Sequence, residues 1–108
     1  MPITSEFGIT TKMAVPNHRT PTHPGEILLE EFLNPMGLTQ VAFAKHLGWT
    51  NARVSEIVHG RRGVSAETAL AFSDCFGTTP EFWLNLQTTF ELFQAAQGRA
   101  PIEPLKVS

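Results

Sequence analysis

Thr39-Gln40-Val41-Ala42-Phe43-Ala44-Lys45-His46-Leu47-Gly48-Trp49-Thr50-Asn51-Ala52-Arg53-Val54-Ser55-Glu56-Ile57-Val58-His59 reads as two short helices meeting at a tight corner. Thr39 and Thr50 each stand where a side-chain oxygen can accept from the free N–H groups of a helix start. Gly48 stands where the first helix must end in a left-handed residue, a conformation glycine reaches without a Cβ penalty. Ala44 is small where two helices must approach closely. Phe43, Ala44 and Leu47 on one helix, and Val54, Ile57 and Val58 on the other, supply inward faces at helical spacing. A helix–turn–helix corner needs small, flexible and apolar residues in this order.

The sequence on either side extends the same pattern. Pro24 suits a first helical position and Glu26 the positive end of a helix. Ile27, Leu28, Leu29, Phe32 and Leu33 then form an apolar stripe that Asn34-Pro35 and Gly37 stop. Ser65 is expected to cap a helix to about Phe76, with Gly77 as its stop and Ala69, Phe72, Ser73 and Phe76 facing the core. Thr79-Pro80-Glu81 opens a last helix that runs to about Ala96. No stretch alternates with the period of a β-strand, and no internal repeat is visible. The expected fold is therefore all-α: a five-helix domain over residues 22–96, with a flexible N-terminal arm at residues 1–21 and a tail at residues 97–108.

The net charge of −2 hides an uneven distribution. Pro24–Leu38 holds Glu26, Glu30 and Glu31 with no base, and Val64–Gly98 holds Glu67, Asp74, Glu81 and Glu91 with none. Between them, Lys45, Arg53, Arg61 and Arg62 face Glu56 alone. Basic charge gathered on the helix–turn–helix favours an oriented contact with a polyanion. If the second helix of the pair enters a DNA major groove, its outward residues are Asn51, Ala52, Arg53, Ser55 and Glu56. Asparagine can pair with adenine, arginine with guanine, alanine with a thymine methyl, and glutamate with cytosine. Thr39, Gln40, Lys45, Thr50, Arg61 and Arg62 are the candidate phosphate contacts, and Gln40 could instead support Asn51. An ordinary helical corner with no ligand is the bland alternative. The paired caps, the base-capable outer face and the basic stretch outweigh it, because packing requires none of them.

Other chemistries find little support. His18, His23, His46, His59 and Cys75 show no short metal-ligand spacing, and Cys75 has no base placed beside it by sequence. Glu30 and Glu31 are neighbours, so they do not share a helix face. No phosphate-cradling glycine-rich string occurs. The expectation is a non-enzymatic protein without cofactor or metal. A lone cysteine, no apolar run near the ~20 residues of a membrane span and no signal-like start suit the cytoplasm. On the last helix, Phe82, Trp83, Leu84, Leu86, Phe90, Leu92 and Phe93 spread apolar surface wider than one core needs. Phe82, Leu86, Phe90 and Phe93 are accordingly the candidate contacts of a twofold homodimer.

Leu38-Thr39-Gln40, Phe43-Ala44, Leu47-Gly48, Thr50, Val54-Ser55, Ile57 and Gly60-Arg61-Arg62 resemble the Xre/lambda-repressor-like helix-turn-helix family. The strings His23-Pro24-Gly25-Glu26-Ile27-Leu28 and Phe76-Gly77-Thr78-Thr79-Pro80-Glu81-Phe82-Trp83-Leu84-Asn85-Leu86-Gln87 are similar to the HigA (VapI) antitoxins in particular. The resemblance covers about residues 22–93. Phe43 stands where leucine is usual, Trp49 where an aliphatic residue is commoner, and Ser73 where alanine is usual. It implies an antitoxin that binds a HigB-type, RelE-like ribonuclease toxin and represses its own operon by binding double-stranded operator DNA. A stand-alone regulator without a toxin and a helical protein-interaction adaptor remain as alternatives. Two toxin-facing surfaces also stay open: the arm, which could equally be a functionless segment, and the acidic first helix with Glu26, Glu30 and Glu31, where a plain solvated helix face is the favoured reading.

Overall fold

Five helix starts are each closed by a side chain acting on the backbone just inside. In the computed structural model, which describes residues 20–106, Thr39, Thr50, Ser65 and Thr79 accept from the N–H groups of Ala42, Arg53, Thr68 and Phe82 at 3.0–3.3 Å. Each such cap contributes about 1 kcal/mol. They begin α2 (Gln40–Leu47), α3 (Asn51–Val58), α4 (Ala66–Phe76) and α5 (Pro80–Ala96), and His23 begins α1 (Pro24–Ile27). No strand occurs among the described residues. Of the expected arm, residues 1–19 lie outside those described. The residues after Ala96, as far as Lys106, are exposed and not helical.

The first helix departs from a regular α-helix. From Leu28 to Leu33 it continues as a π-helix, and the Asn34 N–H bonds five residues back to the Leu29 carbonyl at 2.9 Å. Closing the bond over five residues brings positions five apart closer to one face. Leu28 and Leu33, five apart, are both fully buried. An α-helical turn would have splayed them around the helix, so core packing selects the wider turn.

Helix α4 packs on α5, α2 on α3, and α1 against both α3 and α5. Trp83 of α5 lies wholly inside, edge-on to Phe72 at 5.0 Å and close to Phe32 at 5.2 Å. Its indole N–H donates to Thr78 Oγ1 at 2.7 Å, so the one polar atom of the ring is satisfied. Phe43, Ala44, Val54, Ile57, Val58, Ala69 and Phe72 are buried as their spacing predicted. Ser73 is half-buried, its hydroxyl turned to the Thr78 carbonyl. Cys75 is half-buried, and burial together with the Asp74 charge pushes its thiol up, away from the reactive thiolate.

One buried amide holds the link between α3 and α4. Gln87 Oε1 accepts from the Val64 N–H at 2.8 Å, while its amide nitrogen donates to Glu91. A Cβ on Gly63 would come within 2.9–3.1 Å of that amide, which makes this a close approach of backbone to side chain.

At the other end, His23 Nδ1 accepts from the Gly25 N–H at 2.9 Å, and the ring stands edge-on to Phe90 at 4.9 Å. Burial lowers its pKa below the ordinary 6.5. The folded state therefore favours neutral imidazole, and the unfolded chain takes up the proton more readily. The contribution of this cap is complete above about pH 6.5 and is lost as pH falls through the lowered folded value. We expect His23→Asn, which keeps a capping oxygen but cannot titrate there, to flatten the loss of Tm between pH 7.5 and pH 5. Parallel slopes of Tm against pH in the two proteins would contradict this.

Candidate nucleic-acid interface

The corner between α2 and α3 is built from the backbone outward. Gly48 adopts φ +75°. Its N–H reaches the Lys45 carbonyl at 3.2 Å, and the Trp49 N–H reaches that of Ala44 at 2.9 Å. This pair of bonds satisfies the last carbonyls of α2 and turns the chain sharply. Thr50 then caps α3 at once, its hydroxyl accepting from the Arg53 N–H at 3.1 Å. Val54, Ile57 and Val58 press the other side of α3 into the core, so the helix cannot roll.

That anchoring turns the start of α3 outward. Asn51 and Ala52 are exposed, and Ser55 and Glu56 are half-exposed on the same helix. Arg53 behaves differently. Its guanidinium carbon lies 3.5 Å from the centre of the Trp49 ring, and Nη2 reaches Thr68 Oγ1 on α4 at 3.5 Å. Its Nε is buried without a hydrogen-bond partner among the described residues. Glu56 also has a partner: Arg62 donates to its Oε1 from Nε at 2.9 Å and from Nη2 at 2.7 Å. The pair is solvent-exposed, so it orients the two groups more than it stabilises the fold.

Among the candidate phosphate contacts, Thr39, Lys45, Thr50, Arg61 and Arg62 are exposed and Gln40 is half-buried. The hydroxyls of Thr39 and Thr50 are occupied as caps, although a hydroxyl can still donate outward. Of the four bases gathered in this stretch, Arg62 is neutralised by Glu56 and Arg53 is laid on Trp49. Lys45, Arg53 and Arg61 therefore keep positive charge that no carboxylate pairs among the described residues, with Arg53 held in place by the indole. On α5, Phe82 is 39% exposed and Leu92 66%, whereas Leu86 and Phe93 are half-buried and Phe90 packs on His23.

Sequence reasoning singled out Trp49 only as an unusual residue and gave Thr68 no role. The available signal was the spacing of Trp49 and Arg53, four residues apart across the cap. The Thr68 contact depends on how α4 packs and leaves no local trace. Among the described residues no three or more His, Cys, Asp or Glu side chains group so as to hold a metal, and no helix is long and apolar enough to cross a membrane.

Comparison with known proteins gives concordant matches. The HTH_3 helix-turn-helix family model matches residues 29–83, half of the chain, and spans all of α2 to α4. Virulence-associated protein I of Dichelobacter nodosus is 44% identical over 93 residues, covering 83% of this chain and 86% of that protein. The structure of the antitoxin GraA in complex with its operator superposes with a TM-score of 0.69 at 50% identity, covering 79% of this chain and 86% of that one. The Pseudomonas aeruginosa antitoxin HigA with the higBA promoter superposes with a TM-score of 0.73 at 38% identity, covering 80% of this chain and 99% of that one.

Proposed function

Because the chain belongs to the HTH_3 helix-turn-helix family and groups there with the HigA antitoxins, we propose that it is an antitoxin and autorepressor. As a homodimer it binds operator DNA in its own promoter, and it neutralises a HigB-type ribonuclease toxin in the cytoplasm. The observation that carries the DNA half is the start of α3, where Asn51 and Ala52 stand exposed on a helix whose opposite side is locked into the core. A helix held in this way can enter a major groove end-first without reorganising. Asn51, Ala52, Ser55 and Glu56 supply base contacts, while Thr39, Gln40, Lys45, Thr50, Arg61 and Arg62 position the protein on phosphates. Arg62 further holds the Glu56 carboxylate in place, which limits its repulsion of the DNA backbone. The toxin half rests on the kinship with named antitoxins.

Two measurements test the two halves separately. A gel shift on the promoter should show a complex that weakens steeply with salt, as expected when several phosphates release counterions. Asn51→Ala should lower operator affinity about 5- to 150-fold, the equivalent of ~1–3 kcal/mol for a lost base pair contact, and leave binding to scrambled duplex nearly unchanged. Equal losses on both duplexes would remove Asn51 from the base readers. Co-expression with the product of the neighbouring small gene should yield a stable complex that suppresses its ribonuclease activity; a neighbour that neither binds nor is inhibited would leave a stand-alone regulator.

A further inference from the structure

We propose that Trp49 is a positioning residue that holds Arg53 as a contact to the DNA backbone and withdraws it from reading bases. The assignment rests on the reading of α3 as the groove-entering helix. Side chains on a helix lean toward its N-terminus, and Arg53, in the first turn of α3, leans back onto the indole of Trp49. From there its Nη2 crosses to Thr68, in the first turn of α4. Thr68 is itself fixed, accepting from the Ser65 hydroxyl at 3.2 Å, so the acceptor is part of the α4 cap and not a free rotor.

Two features of this geometry oppose base recognition. Reading a guanine takes the planar fork extended off the helix with two parallel donors free. Here one face of the plane is covered by the indole and one donor is turned sideways to α4, while Nε is buried. What stays accessible is the outer rim of a cationic group. That rim sits on the flank of α3 toward α4, and the flanks of a helix lying in a groove meet phosphates, not base edges. A cation pinned on an aromatic face loses little further freedom when a phosphate arrives. Sequence reading is then left to Asn51, Ala52, Ser55 and Glu56.

The test uses the full chain, with operator and scrambled duplexes across a salt series. Arg53→Ala is expected to weaken both duplexes by the same factor, to within about twofold, and to flatten the slope of log K against log salt by about one phosphate per subunit. Trp49→Leu should give the same loss and add little to Arg53→Ala in the double variant, whereas Trp49→Phe retains binding. In the absence of DNA, the Arg53 Nε–H proton should resonate upfield from the ring current of Trp49, a shift lost in Trp49→Leu and kept in Trp49→Phe. A loss on operator tenfold greater than on scrambled duplex would make Arg53 a base reader and overturn the assignment. So would additive effects of the two substitutions, or a missing ring-current shift in a protein that binds operator. Wild-type protein that binds neither duplex would overturn the DNA reading as a whole, and this assignment with it.

Discussion

Gly25→Ala should be among the most damaging single-methyl changes in this domain, even though Gly25 has no side chain to pack and is not among the proposed DNA contacts. A Cβ built there lies 1.7 Å from the Ile57 carbonyl oxygen and 2.6 Å from its carbon. Both are backbone atoms of the last turn of α3, so no side chain can rotate aside to make room. Either α1 lifts from α3, exposing Leu28, or α3 shifts and carries Asn51 and Ala52 with it. Overpacking of this kind costs roughly 3 kcal/mol, at the upper end of what added methylenes do in a packed interior. In a domain of this size that lowers Tm by about 12–24 °C. Calorimetry or a circular-dichroism melt reads it directly, and a Tm within about 3 °C of wild type would show that the helices part at little cost. At Gly48, by contrast, a Cβ meets nothing within 4 Å, and the penalty there is conformational, about 1–2 kcal/mol for the left-handed backbone.

The two glycines also separate what the sequence could show from what it could not. Gly48 was legible because its task is local: it ends α2, and the residues that require it lie within four positions. The same holds for Thr39, Thr50, Ser65 and Thr79, whose hydroxyls act three residues ahead. Apolar spacing likewise revealed the inner faces of α2, α3 and α4. Gly25 could be read only as part of a helix start, because the carbonyl that crowds it is thirty-two positions away at Ile57. Gln87 and Val64, twenty-three residues apart, left no local signal either. On the interface, exposure of Asn51 and Ala52 followed from helical phase, but the fate of a long side chain does not follow from phase. Arg53 has the reach to choose among partners, and in the structure it lies against the indole behind it and the hydroxyl on α4. Glu56 reads as a candidate base contact, and its pairing with Arg62 from beyond the end of the helix leaves no local signal. The π-helical turn at Leu28–Leu33 belongs with these cases, since its bond pattern goes with the burial of Leu28 and Leu33 in the core and not with any local residue signal.

The largest expected loss of function comes from α5, far from the recognition helix. Of its four candidate dimer contacts, Leu86 is packed on the domain's own core and Phe90 on His23. Phe82 and Phe93, eleven residues and about three turns apart, share one side of the helix; the Phe82 ring, though 39% exposed, meets Trp83 at 5.1 Å and Phe32 at 6.3 Å, Phe93 is half-buried, and Leu92 nearby is exposed. Phe82→Lys combined with Phe93→Lys therefore places two like charges on the surface through which a symmetric partner would bind, and repeats them across the twofold axis. Cutting the chain after Leu84 would be a poorer test, because it also removes the Gln87 amide that holds the Val64 N–H. We expect sedimentation to report a monomer while the helical circular-dichroism signal persists. Each recognition helix would then bind alone, without the second half-site that a linked subunit brings at high effective concentration, and operator affinity should fall at least about 100-fold. Binding to a single half-site should barely change, which distinguishes lost linkage from a damaged DNA surface. A double variant that still sediments as a dimer would place the twofold contact elsewhere on the domain, and the exposed flank of α5 would then need another explanation.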